Sequence, residues 1–170
     1  MSQISRFCIA LVLFLVAGSD PNTRRDEFFN AAAKQCPAAA TLSLGWANVN
    51  EVVEFCAKLN EVYQCDFEPV KLALADMRQL CLDPVLIEKV KRKAECVVDQ
   101  SIKSIEETIH CVEQTNSSIN SCDFEDSVTA CERKPVLLNC GPEGVEVLEN
   151  VRNARKSLCQ NINDYFTESY

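Results

Sequence analysis

Residues 83–112 read DPVLIEKVKRKAECVVDQSIKSIEETIHCV, and this stretch decides the fold. Asp83-Pro84 is a helix-start signal, a side-chain cap followed by a proline whose missing N–H is not needed in the first turn. Val90, Ala94, Val98, Ile102, Ile105, Ile109 and Val112 then recur at steps of three and four, the period of one helical face. The pattern predicts a single long helix over about residues 85–112, the spine of the domain. On it Cys96 and Cys111 stand about 22 Å apart at roughly 1.5 Å per residue. A disulfide needs Cα atoms within about 7 Å. These two cysteines cannot pair with each other, so the spine must be tied to other segments.

Working outward, the same period recurs on both sides. Residues 25–35 predict a first short helix ending at Cys36-Pro37, and 38–44 a short connection. Residues 47–64 place Val49, Val53, Cys56, Leu59 and Tyr63 on one face. A third helix opens with Asp66 as N-cap and Pro69 in its first turn, burying Val70, Leu74, Met77 and Cys81. Beyond the spine, a fifth segment carries Ile119, Cys122, Val128 and Cys131 and stops before Pro135. A turn at Gly141-Pro142-Glu143-Gly144 leads to a sixth, with Val145, Leu148, Val151, Leu158, Ile162 and Phe166 inward. From residue 47 to 139 there is no glycine, and small all-β domains need glycine for their turns. The expectation is an all-α, disulfide-stapled domain of five to six helices around one long central helix.

The chain has 11 cysteines, an odd number. Cys8 lies in MSQISRFCIALVLFLVAGSD, where Arg6 precedes an unbroken apolar run from Phe7 to Ala17 and small residues follow. This is the order of a secretory signal peptide, residues 1–18, and too short to span a bilayer. Its removal discards Cys8. Cys36, Cys56, Cys65, Cys81, Cys96, Cys111, Cys122, Cys131, Cys140 and Cys159 remain. An even set in an exported chain reads as a disulfide framework. No close C-x₂-C or C-x₄-C pair exists, so no zinc pattern competes, and no metal or other cofactor is expected. Cys56 and Cys65 share a helix about 13 Å apart and are excluded as partners. The remaining connectivities stay open.

The expected organisation is thus a signal peptide at 1–18, an N-terminal segment with the first helix at 19–35, and a cysteine-rich helical domain at 36–159. Residues 160–170 form the end of the last helix and a polar tail. The net charge of −8 argues against nucleic acid, which rewards clustered lysine and arginine. Lys89-Val90-Lys91-Arg92-Lys93 reads as a solvated helix face, and Arg24-Arg25 as the better dibasic processing site, in a flexible start. His110 is the only histidine. It adjoins Cys111, and no nucleophile motif such as G-x-S-x-G accompanies it, so no catalytic residue is assigned. Asp123, Glu125 and Asp126 lack the spacing and glycine of a calcium loop and read as capping and solvated residues. Trp46 reads as core. Asn116-Ser117-Ser118 is an N-glycosylation sequon.

FCAKLNEVYQC, LCLDP, the helix bearing Cys96 and Cys111, SCDFED and ACERKPVLLNC follow one another in an order that resembles a nematode family of secreted cysteine-rich domains. That family is a domain of unknown function, the nineteenth so named, and the resemblance covers about Cys36 to Cys159. It implies extracellular residence and structural disulfides, and supplies no catalytic residue. The function expected is a secreted, non-enzymatic interaction module for an extracellular protein or surface. The alternative is a carrier of a small apolar molecule or lipid between disulfide-tied helices.

Overall fold

The computed structural model describes residues 22–42, 48–115 and 121–168. The expected leader with Cys8, Trp46 and Asn116 lie outside them. Seven α-helices follow in order: α1 (Asn22–Gln35), α2 (Val49–Val62), α3 (Glu68–Ala73), α4 (Ala75–Leu82), α5 (Pro84–Lys103), α6 (Ile105–Gln114) and α7 (Phe124–Glu168). A 3-10 turn, Pro37–Thr41, follows α1. Among the described residues no strand occurs, and the all-α class stands.

Local chemistry sets several of these boundaries. Asn48 caps α2 by accepting the Glu51 N–H at 3.1 Å and donating its amide to the Glu51 carboxylate at 2.8 Å. That reciprocal pair satisfies a backbone donor that the helix itself leaves orphaned. Asp83 caps α5 as expected, ahead of Pro84. Asp66 does not cap α3; Phe67 holds that position, without a side-chain cap bond.

Two predicted helices divide. The third segment breaks at Leu74 (φ −99, ψ 9) into α3 and α4. The spine breaks at Ser104 (φ −94, ψ 12), where the hydroxyl donates back to the Gln100 carbonyl at 2.8 Å. Such back-bonding by Ser or Thr bends helices. The expected single spine is therefore α5 followed by α6.

The last two segments are joined differently than expected. Helical structure runs through Pro135 to Cys140, so Pro135 does not end the fifth segment. The reversal falls at Gly141 (φ 75, ψ −175), a conformation nearly confined to glycine. Residues 124–140 and 142–168 then lie antiparallel as two arms of α7. The Arg133–Glu149 pair at 3.4 Å ties arm to arm, and Cys122, just ahead of the first arm, is bridged to Cys159 on the second.

The main core joins α1–α5 to both arms of α7 and includes Phe28, Leu59, Leu74, Met77, Val90 and Val136, all fully buried or nearly so. Phe28 packs edge-on to Tyr165 with ring centroids 5.2 Å apart, seating α1 on the end of α7. A smaller cluster of Val112, Phe124 and Val128 holds α6 against the first arm. Five disulfides link these elements: Cys36–Cys65, Cys56–Cys81, Cys96–Cys140, Cys111–Cys131 and Cys122–Cys159. Neither excluded pair occurs. Two bridges lie wholly before Asp83 and three wholly after it, and none crosses from one set to the other.

Candidate functional site

All ten expected cysteines are bridged, with Cα separations from 5.4 to 5.9 Å, so none offers a thiol. His110 is on the surface, its side chain 77% exposed. Its polar neighbours are Glu113, at 4.0 Å, and Gln114, at 3.0 Å, both one helical turn further along α6. Among the described residues no group of His, Cys, Asp or Glu is arranged to hold a metal ion. Three of the four basic side chains in the run on α5 are paired within the protein. Lys89 meets Glu146 at 2.7 Å, Lys91 meets Glu88 at 2.7 Å and Arg92 meets Glu143 at 3.2 Å, while Val90 is core. Arg24-Arg25 lies inside α1, with Arg24 donating to Asn163. A protease needs extended backbone, so the expectation of a flexible dibasic site is corrected.

The acidic string at 121–126 is also corrected. Asp123 and Asp126 do lie at the surface, where both pair with Lys156. Glu125 instead is buried together with Glu132, and the two carboxylates bracket Arg152 from the other arm at 2.9 Å each. Burial pulls the Arg152 pKa down, but the charges and hydrogen bonds of Glu132 and Glu125 more than reverse this and hold it above the ordinary value. Arg155, one turn on, goes the other way. Burial pushes it down to about 10, Arg152 and Arg25 add like-charge repulsion, and Glu125 and Glu132 only partly offset them. The sequence carried a signal for this cluster: Glu125 and Glu132 share a helical face with the core residue Val128.

Two recesses flank the second arm of α7. An apolar cleft against α5, lined by Val90, Ala94, Val97, Leu148 and Val151 together with Arg152 and Arg155, holds about 30 Å³. One water molecule needs about 10–15 Å³ of such space, so the cleft has room for about two. A polar groove of about 230 Å³ lies against α4 and the start of α5, lined by Asp76, Gln79, Asp83, Asn150 and Asn153 over Leu80, Leu86 and Ala154.

No family model, no curated protein and no solved structure matches this chain. What the molecule does has to be read from its own surface. There, several large apolar side chains stand in solvent: Leu82 (51% exposed) and Val85 (62%) at the α4–α5 corner, and Leu137 and Leu138 near the tip of the α7 reversal. No described helix is long and apolar enough to cross a membrane. The five bridges fit an extracellular cysteine-rich domain, since disulfides form and persist in oxidising compartments.

Proposed function

We propose that the protein is exported and works as a non-enzymatic extracellular interaction domain, gripping another protein through its helical exterior. One observation carries this reading: five disulfides brace helices whose outer surface leaves paired leucine and valine side chains uncovered. Apolar side chains in solvent gain free energy when a partner covers them, roughly 25 cal/mol per Å² of area removed from water. The order of charge, apolar run and small residues before Asp20 supports export. The carrier reading has less behind it, because the apolar cleft would have to open many-fold. Ligand pockets typically enclose about 300–1,000 Å³.

Two measurements test the proposal. The intact mass of the protein recovered from culture medium, before and after reduction, is expected to show loss of residues 1–18 and five bridges. The same spectrum reports whether Asn116 carries a glycan. Cross-linking to extracellular fluid of the source organism is then expected to capture a saturable protein partner. Retention of the leader inside cells, or a co-purified lipid with no protein partner, overturns the reading.

A further inference from the structure

The polar groove beside α4 carries two carboxylates, Asp76 and Asp83, among the amide side chains of Gln79, Asn150 and Asn153. Asp83 is held in place because its Oδ1 accepts the backbone N–H groups of Val85 and Leu86 at 2.9 and 3.0 Å. Its Oδ2 is uncommitted among the described residues. Asn150 is fixed similarly: its side-chain N–H donates to the Glu146 carbonyl at 2.8 Å, which leaves its Oδ1 as an acceptor. Asp76 adds a second carboxylate. Neither aspartate has an ion-pair partner among the described residues, and no lysine or arginine lines the groove. Beneath these groups, Leu80, Leu86 and Ala154 provide an aliphatic floor. Leu82 and Val85, both more than half exposed, flank Asp83 in sequence.

We propose that this groove receives an arginine side chain of a partner protein, with an aliphatic residue of the same segment covering Leu82 and Val85. The proposal rests on the interaction reading and gives it an address. Two carboxylates with no ion-pair partner among the described residues call for a cation. Arginine suits the site better than lysine. Its planar fork reaches several acceptors at once, and it sheds water more readily. Its methylene stem lies naturally on leucine and alanine while the charged head stays at the polar end. Because Asp83 and Asn150 are already fixed, little ordering is lost on binding. The acidic chain as a whole, at −8, draws cations towards it.

The test uses the full oxidised protein and two peptides, acetyl-Gly-Arg-Ala-Leu-Gly-amide and its twin carrying neutral citrulline for arginine. Backbone amide shifts are followed by NMR. The arginine peptide is expected to move amides of residues 76–86 and 150–154, at least fivefold more tightly than the citrulline twin. Asp76→Asn with Asp83→Asn is expected to abolish the difference, and asparagine at 83 keeps the helix cap. Equal binding of the two peptides, no shift at millimolar peptide, or shifts confined to other surfaces would each overturn the proposal. So would calcium chloride giving the same shifts more tightly, or the same shifts appearing on concentrating the protein alone. A final arm separates this proposal from the reading beneath it. If the doubly substituted protein captures the same extracellular partner as the wild type, the groove is wrong and the interaction reading stands. If neither captures one, the interaction reading itself falls.

Discussion

Arg152 is the single side chain on which most depends. It is 3% exposed and stands between two buried carboxylates. Removing one partner of a buried ion cluster leaves charge uncompensated, at about 3–5 kcal/mol. Arg152→Met is therefore expected to lower stability by about that amount in urea titrations with the bridges intact. Replacing Glu125 and Glu132 by leucine in the same protein should recover part of the loss, because it removes the uncompensated carboxylates but also takes away the charges that offset Arg155. Tyr63 gives a prediction with a pH signature. Its hydroxyl donates to the Lys71 carbonyl at 2.5 Å, and the Arg78 guanidinium sits 4.0 Å over its ring. Burial raises its pKa above the ordinary value; Arg78 opposes the rise and the Glu68 and Asp76 carboxylates add to it. A raised phenol pKa means that the unfolded chain ionises first. The Tyr63 contribution is full below about pH 10 and is lost as pH climbs through the folded value. Tyr63→Phe should cost about 0.5–1.5 kcal/mol at neutral pH and should fall off less steeply above pH 10. A variant that keeps the wild-type alkaline slope would contradict this.

At the scale of the helix, the three- and four-residue period revealed that helices exist but not always which side they bury. On α2 the expected face is Val49, Val53, Cys56, Leu59 and Tyr63; Leu59 is buried as expected, but the buried line is Val52, Phe55, Leu59 and Val62, and Val53 is 49% exposed. Both stripes are apolar, and only the packing of neighbours chooses between them. On α5 and α6 the buried line runs Val90, Ala94, Val97, Ser101, Ser104, Thr108 and Val112. The isoleucines at 102, 105 and 109 are left half-buried. Serine and threonine on the inward face were not foreseeable from hydrophobic pattern, and they mark the bend at Ser104. Gly141 was legible as a turn, and its geometry makes a sharper prediction. At φ 75 and ψ −175 an added Cβ meets nothing within 4 Å, so Gly141→Ala suffers backbone strain alone, about 1–3 kcal/mol. Gly144→Ala should cost more, since its Cβ would lie 2.5 Å from that of Cys140, which is fixed by the bridge to Cys96. Thermal midpoints of the two variants would rank them.

For the molecule as a whole, the cysteine count was readable and the pairing was not, because which helices meet depends on packing that linear spacing does not encode. The Cys122–Cys159 bridge closes a separation of 37 residues. Replacing both cysteines by alanine should cost about 2–4 kcal/mol, chiefly by freeing the unfolded chain. The division of the bridges at Asp83 makes a further prediction. A protease site engineered at Leu82–Val85 should yield, after cleavage, two bands on denaturing gels without reductant. A cut beside Gly141 should leave one, since Cys122–Cys159 spans it. In native buffer the first cleaved product should stay associated through Phe28 on Tyr165 and the Asn161 contact to the Leu72 carbonyl. The same division bears on biosynthesis. Four cysteines can pair in a handful of ways, six in somewhat more than a dozen and ten in many hundreds. A chain emerging from its N-terminus presents Cys36, Cys56, Cys65 and Cys81 before Cys96 follows, so oxidation can proceed in two instalments and each nascent thiol meets few wrong mates.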